Sequence, residues 1–200
     1  MSLKLNSSGG GSVTFQEPDT ATNGTLNLPS GTGTVSVSGL NSNIVLGTAA
    51  ASTSGTSINF TGIPDWVKRV TVMFSGVSTN GTSDVIVQLG TGAGFVTTGY
   101  LGAAATIAGT ATGSTLLTSG FLVRLGGGAT AAAVRHGTII LNAIGSNNWV
   151  GNISVSISNT DYIVTGSGTI ALAALLTQIR ITTAGGVNTF DAGTINILYE

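Results

Sequence analysis

The sequence carries little charge and no cysteine. Of its 200 residues, 6 are Lys or Arg and 7 are Asp or Glu, so the net charge is −1. A surface this poor in cations cannot neutralise a row of phosphates, which argues against binding to nucleic acid or to an anionic membrane. Because cysteine is absent, disulfides and thiolate metal sites are excluded.

Long apolar runs are also absent. The longest, from Ile170 to Leu176, covers seven residues, whereas a helix that spans a bilayer needs about 20. The opening residues, MSLK, are not followed by the apolar stretch of a signal peptide. We therefore expect a protein that is made in the cytoplasm and is not inserted into a membrane.

Small residues and hydroxyl side chains dominate instead, with 31 Gly, 31 Thr and 21 Ser. Helix signals are nearly missing, and β-branched residues alternate with small polar ones from about residue 56 onwards. This pattern predicts an all-β fold, an antiparallel β-sandwich of the jelly-roll type. The predicted strands are 68–78, 84–90, 95–101, 116–125, 136–144, 150–158, 162–171, 177–183 and 193–199.

Two local features refine this prediction. Asn80-Gly81 is a pair favoured where both central turn residues need positive φ, so it predicts a hairpin between 68–78 and 84–90. The alanine tracts at 103–105 and 131–133 are bordered by glycines and predict loops or a short helical turn.

Residues 1–55 have a different pattern from residues 56–200. Their apolar residues occur as isolated i, i+2 pairs, each typical of one face of a very short strand. Burial of apolar area contributes ~25 cal/mol per Å², and four such pairs bury too little area to offset the entropy cost of ordering the segment. We expect 1–55 to be an extended β-arm that packs on a partner, and 56–200 to be the sandwich domain. The pairs are Leu3/Leu5, Val13/Phe15, Leu26/Leu28 and Val35/Val37.

Motifs for catalysis, cofactors and metals are missing from the sequence. His136 is the only histidine, and no G-x-S-x-G, phosphate-binding loop or metal-ligand spacing occurs. A pair of carboxylates brought together by the fold is the remaining route to an enzyme, with Asp161 and Asp191 as its leading candidates. We expect no enzyme, no cofactor and no metal.

One cluster has the composition of a binding site. The segment GSNNWVGN contains Asn147, Asn148 and Trp149, and SNTDYIV contains Asp161 and Tyr162. An aromatic face beside amides and a carboxylate suits the recognition of a sugar ring. The alternative is that Trp149 packs in the core or in a subunit contact while the asparagines form a turn.

Another cluster places two cations side by side in GIPDWVKRVTVMFSGVS. Trp66 precedes Lys68 and Arg69 at the start of an otherwise apolar strand. Charges at a strand end are solvated and discourage edge-to-edge pairing. The alternative is that these three residues contact a partner, for example with Arg69 holding an acidic group.

Three segments resemble parts of tailed-bacteriophage tail-fibre and related virion structural proteins. LNSSGGGSVTFQEPDTATNGTLNLPSGTGTV (5–35) resembles their N-terminal segment, and SINFTGIPDWVKRVTVMFSGVSTNGTSDVIVQLG (57–90) resembles a module that recurs in them. The closing GTINILYE (193–200) is similar to the end of such modules. The resemblance covers about a third of the chain.

The resemblance implies a non-enzymatic virion protein, located in the virion, whose N-terminal arm attaches to the particle and whose β-domain faces outwards as a homotrimer. The implied partners are the chain itself, other virion proteins and a glycan or protein of the host surface. A short tail fibre that binds a receptor is the first interpretation. A capsid decoration or head-fibre protein is the second, and a polysaccharide-degrading enzyme is a remote third. The implied anchoring residues are Leu3, Leu5, Val13, Phe15, Leu26 and Leu28.

Overall fold

The computed structural model describes residues 2–6, 8–10, 12–16, 44–109, 111–123, 130–131 and 133–200. The chain forms two compact units, Met1–Asn41 and Ser42–Glu200. The division therefore lies nearer the start of the chain than the 55/56 boundary in the sequence analysis. Residues 44–51 belong to the second unit.

In the first unit, the described residues form an antiparallel hairpin of β1 (Ser2–Asn6) and β2 (Ser12–Gln16). Its register pairs Leu3 with Phe15 and Leu5 with Val13, so the first two i, i+2 pairs occupy opposed positions of one ladder. Leu26, Leu28, Val35 and Val37 lie outside the described residues. That this segment anchors the chain to a particle stays a prediction.

The second unit is an antiparallel β-sandwich, which confirms the predicted fold class. The smaller sheet contains β5 (Ser57–Thr61), β7 (Val85–Thr91), β8 (Gly94–Phe95), β11 (Phe121–Val123) and β15 (Gln178–Thr183). The larger sheet contains β3 (Val45–Leu46), β4 (Ala50–Ala51), β6 (Arg69–Thr79), β9 (Leu101–Ala108), β10 (Ala111–Leu116), β12 (Arg135–Gly145), β13 (Asn148–Ile157), β14 (Tyr162–Ala171) and β16 (Phe190–Tyr199).

The order of strands in the larger sheet is β10-β9-β14-β13-β12-β6-β16-β3, with β4 also on β16. In the smaller sheet it is β11-β7-β15-β5, with β8 also on β7. Strands β12, β13 and β14 follow one another as neighbours, whereas most other connections cross from one sheet to the other. One core therefore lies between the two sheets.

Alternation along the strands builds this core. In β13, Ile153, Val155 and Ile157 are buried while Ser154 and Ser156 are exposed. Successive side chains of a strand point to opposite faces, so the apolar set turns inwards and the hydroxyl set outwards. The same alternation in β6, β12 and β16 supplies the larger sheet's half of the core.

The predicted hairpin at Asn80-Gly81 is wrong. Strands β6 and β7 lie in different sheets, so the pair forms a corner between the sheets. Neither residue has positive φ. Gly81 allows a close approach instead, since a Cβ there would lie 2.0 Å from Asn188 Nδ2 and would displace that side chain. The Asn188 Oδ1 accepts a hydrogen bond from Ser83 N at 3.1 Å and fixes the corner.

Three other local predictions need correction. The alanine tract at 103–105 lies within strand β9, not in a loop. The predicted strand at 95–101 is mostly a connection, because β8 ends at Phe95 and β9 starts at Leu101. The predicted strand at 116–125 is divided, with β10 ending at Leu116 and β11 covering Phe121–Val123. The remaining predicted strands overlap β6, β7 and β12–β16.

Candidate functional site

A tight turn between β12 and β13 forms one wall of the candidate site. Ser146 and Asn147 have φ of 49° and 60°, so both central residues adopt the left-handed conformation of a type I′ hairpin turn. The Asn148 side chain donates to Gly145 O and Ser146 O, at 3.3 and 3.4 Å. Leu172 N donates to Asn147 O at 3.0 Å, which ties the turn to the β14–β15 connection. The asparagines thus make the turn, as the alternative interpretation held.

The opposite wall is the connection from β5 to β6. Val67 N donates to Pro64 O at 3.2 Å in a local turn, and Ala143 N donates to Lys68 O at 2.8 Å. The second of these bonds places Lys68 beside the end of β12, next to the Gly145–Asn148 turn. Two segments that are far apart in the sequence are therefore brought to one place.

A pocket of about 280 Å³ lies between these walls, and we call it the Trp149 pocket. Its floor is apolar, since Trp149, Val67 and Leu176 are buried. Asp65 and Lys68 are exposed and line the pocket, so a carboxylate and an ammonium group stand near its mouth. The complete lining is Asp65, Val67, Lys68, Ala143, Gly145, Ser146, Asn147, Trp149, Leu175 and Leu176.

This arrangement suits a small neutral polar ligand. The pocket offers a donor, an acceptor and the Asn147 amide above an apolar floor, which is the usual composition of a ligand pocket. Trp149 is only 4% exposed and belongs to the core cluster. Its ring can therefore serve as the floor of the pocket but not as an open platform for stacking.

The second half of the predicted sugar-binding cluster lies elsewhere. Strands β13 and β14 pair from Asn148↔Ala171 to Ile157↔Tyr162, nine steps along one ladder. At ~3.3 Å per step, Asp161 and Tyr162 are roughly 30 Å from the turn. The structure therefore does not assemble the five predicted residues into one site. It combines Asn147 and Trp149 with Asp65 and Lys68 instead.

The two adjacent cations have different environments. Arg69 Nη1 lies 2.8 Å from Glu200 Oε1, while Lys68 lines the Trp149 pocket. The backbone N–H groups of Lys68 and Arg69 both donate to Glu200 O at 2.8 Å. Trp66, which is 45% exposed, packs at a tilt against Tyr199 with 5.9 Å between ring centroids. Arg69 and Trp66 thus fasten β16 to the start of β6 within this chain.

His136 has the wrong geometry to activate a serine. Its Nδ1 accepts a hydrogen bond from Gly76 N at 3.3 Å, and its Nε2 lies 3.2 Å from Ser158 Oγ. Because Nδ1 is an acceptor, a neutral ring carries its proton on Nε2 and donates it to Ser158. A catalytic histidine needs the opposite tautomer, with Nε2 free to accept the serine proton.

The leading carboxylates are far apart. Asp161 precedes β14, and Asp191 lies in β16 and accepts a hydrogen bond from Ser78 Oγ. Four strand spacings separate β14 from β16 in the order β14-β13-β12-β6-β16, or roughly 19 Å at ~4.8 Å each. Glycosidase pairs lie within about 5–9.5 Å. Among the described residues, no group of three His, Cys, Asp or Glu could hold a metal ion.

Arg135 is a buried cation, 0% exposed, that no sequence motif singled out. Its Nη1 donates to Ala133 O at 3.2 Å and to Val77 O at 3.4 Å, while Nε and Nη2 have no hydrogen-bond partner. Burial lowers the pKa of Arg135 to about 10, and the charges of Asp84 and Asp191 oppose this shift. The signal was present in the sequence, because Arg135 shares the inward phase of β12 with Ile139 and Leu141.

Comparisons with protein-family models, with curated proteins and with solved structures found no match to this chain. Within the described part of the chain, no helix is long and apolar enough to cross a membrane.

Proposed function

We propose that this chain is a bacteriophage virion structural protein, a short tail fibre that is held on the particle by its N-terminal unit and binds the host surface through its sandwich. The observation that carries the proposal is the resemblance of residues 57–90 to a module of virion structural proteins. This segment supplies β5, β6 and β7, so it contributes strands to both sheets. The resemblance therefore involves the framework of the domain and not a peripheral loop.

The composition of the domain supports the same role. The chain is rich in hydroxyl side chains and has a net charge of −1, so it has little self-repulsion and many copies can assemble closely. Assembly as a homotrimer would present three identical binding sites. Weak single-site binding then becomes strong attachment, because the second and third contacts form at high effective concentration.

The Trp149 pocket is the proposed receptor contact, with a saccharide of the host surface as its ligand. Lys68 can donate to a sugar hydroxyl, Asp65 can accept from one, and Asn147 can do both. The apolar floor of the pocket matches the less polar face of a sugar ring. No full charge of one sign dominates the pocket, which favours a neutral sugar over an acidic one.

Competition for phage adsorption tests this proposal. The purified full-length protein, added in excess to host cells, should slow adsorption of the phage, and a glycan array should show saturable binding to a neutral saccharide. Asn147→Gly keeps the left-handed turn conformation but removes the amide, and Lys68→Met removes the ammonium group. We expect each substitution to weaken binding about tenfold or more, since it removes a polar contact to the ligand.

The control is Val187→Thr, a change at a residue that is 73% exposed and does not line the pocket. It should bind as the unmodified protein does. Equal binding by Asn147→Gly, Lys68→Met and the control would reject the Trp149 pocket as the receptor site. A protein that binds no host material and does not slow adsorption would reject the receptor-binding function.

A further inference from the structure

One part of the solvent-exposed face of the larger sheet has no charged residues. Strands β10, β9, β14 and β13 are consecutive neighbours in that sheet, and none of them contains Asp, Glu, Lys or Arg. Their buried side chains pack on the core, and the alternate positions are exposed to solvent. Soluble proteins normally place charges on such a surface. These four strands therefore present an exposed surface without charge.

Large apolar side chains are exposed on this face. The register pairs Ile163 with Ile107 and Leu116 with Ala103, and Leu101 lies two residues before Ala103 on the same strand. All four large residues therefore project from the same side of the sheet. Their exposed fractions are 72% for Leu116, 69% for Leu101, 54% for Ile163 and 43% for Ile107.

A shallow groove lies on the same strands, and its lining residues Ala103 and Thr165 are two positions from Leu101 and Ile163. It has a volume of about 450 Å³, and Ala103, Ala105, Ser114 and Thr165 are part of its lining. Small side chains thus form a depression that larger apolar side chains border. We call the surface formed by Leu101, Ile107, Leu116 and Ile163 around this groove the β9–β10 face.

The adjoining sheet edge is also unprotected by any of the residues that the structure describes. Among the described strands, β10 pairs only with β9 and ends the larger sheet. Natural sheets protect their edges with charges, prolines, bulges or a covering segment. The sequence of β10, ATGSTL, contains neither a charge nor a proline.

We infer that the β9–β10 face is the surface through which a second copy of this chain binds. An uncharged face offers no charge complementarity to a charged partner, whereas it meets the largely uncharged surface of a second copy without repulsion. The four strands have 6, 8, 10 and 10 residues, and at ~4.8 Å spacing and ~3.3 Å rise they cover roughly 540 Å² in projection. A stable interface buries about 800 Å² per partner, so this face and its edge supply most of the required area.

The inference names a surface for the assembly that the proposed function requires. It rests on the proposed function only for its biological setting. It is tested by sedimentation equilibrium of the full-length protein at micromolar concentration. The unmodified protein should have the mass of an oligomer. Leu101→Lys combined with Leu116→Lys should weaken association at least 100-fold and give monomers, because two cations per chain would be buried at the interface.

The matched control is Val187→Lys, which adds a cation at a residue that is 73% exposed and lies outside the β9–β10 face. It should have the mass of the unmodified protein, and all variants should share its circular dichroism spectrum. If the double lysine variant misfolds, Leu101→Thr with Leu116→Thr replaces it and should weaken association at least tenfold.

Three outcomes would overturn the inference. The unmodified protein could be a monomer, or the Leu101/Leu116 variants could keep the unmodified mass. The lysine variant could also lower the melting temperature of a protein that is monomeric in both forms, which would mean that the face is covered within one chain. These results are independent of host binding, so an oligomer that binds no host material would reject the receptor-binding function and leave this inference intact.

Discussion

The ring of Phe121 occupies the space that a side chain at residue 151 would need. A Cβ on Gly151 would lie 2.4 Å from Phe121 Cε1. Phe121 belongs to the smaller sheet and Gly151 to the larger, so this contact sets the distance between the two sheets at that point.

Gly151→Ala should therefore destabilise the protein. Phe121 is fully buried, and its ring cannot move aside without disturbing the core. We expect a loss of about 1–3 kcal/mol in the free energy of unfolding, as for other overpacked cores. Urea denaturation followed by tryptophan fluorescence measures it. Gly92→Ala is the control, since no atom lies within 4 Å of a Cβ there, and equal stability of the two variants would contradict the packing described.

Ionisation of Tyr100 makes the free energy of unfolding depend on pH in the alkaline range. Its hydroxyl accepts a hydrogen bond from Leu89 N at 2.8 Å and donates to Val96 O at 3.1 Å. Burial raises the pKa of Tyr100 from 10.0 to about 12. The unfolded chain thus loses this proton first, so stability that is present below pH 10 decreases as the pH rises towards 12.

Tyr100→Phe should remove that decrease. It should also cost about 1–3 kcal/mol at neutral pH, because the buried Leu89 N–H loses its acceptor. Denaturation of both proteins from pH 8 to pH 12 gives the comparison. A parallel decrease in both proteins would show that another group is responsible.

Arg135 should be replaceable by an apolar residue of similar length. Two of its nitrogen atoms have no hydrogen-bond partner, so desolvation of the guanidinium is only partly compensated. We expect Arg135→Met to be as stable as the unmodified protein or up to about 4 kcal/mol more stable. Arg135→Ala should be less stable than Arg135→Met because it leaves a cavity. If methionine destabilises the protein as much as alanine, the buried charge itself is stabilising.

His136 should stabilise the fold through its Nδ1 contact alone. Its Nδ1 accepts a hydrogen bond from the N–H of Gly76, which has φ of 69° and lies at an irregular point of the β6–β16 ladder. Asparagine can place an oxygen near the position of Nδ1, whereas glutamine reaches the position of Nε2. His136→Asn should therefore be more stable than His136→Gln by about 1 kcal/mol, with slower hydrogen exchange at the Gly76 amide. The reverse order would assign the role to the Ser158 contact.

The local sequence pattern was sufficient to locate a strand where one face of the strand is buried and the other is solvated. Alternation in β13 and β14 marks both strands and their ends closely. The pattern failed at Asn80-Gly81, because turn propensity is local whereas the sheet that a strand joins is decided by tertiary packing. It failed again at β9, where three alanines form part of a strand because β10 and β14 pair with it on either side.

The candidate site shows the same limit. The sequence identified Trp149 and Asn147, and separately Lys68, as residues of interest. The β6–β12 ladder brings these segments together, and the hydrogen bond from Ala143 N to Lys68 O, which spans 75 positions of the chain, extends it to the pocket. Asp161 and Tyr162 are close to Trp149 in sequence but lie at the far end of the same ladder. Proximity in sequence was therefore misleading, and the sheet register decides the membership of the pocket.

The most direct test of the virion assignment is immunogold labelling of purified phage particles with an antibody against residues 42–200, read by electron microscopy. We expect gold at the tail of the particle. Labelling of the head would contradict a tail fibre and indicate a capsid decoration protein. Particles that contain no copy of the chain would contradict the virion assignment itself.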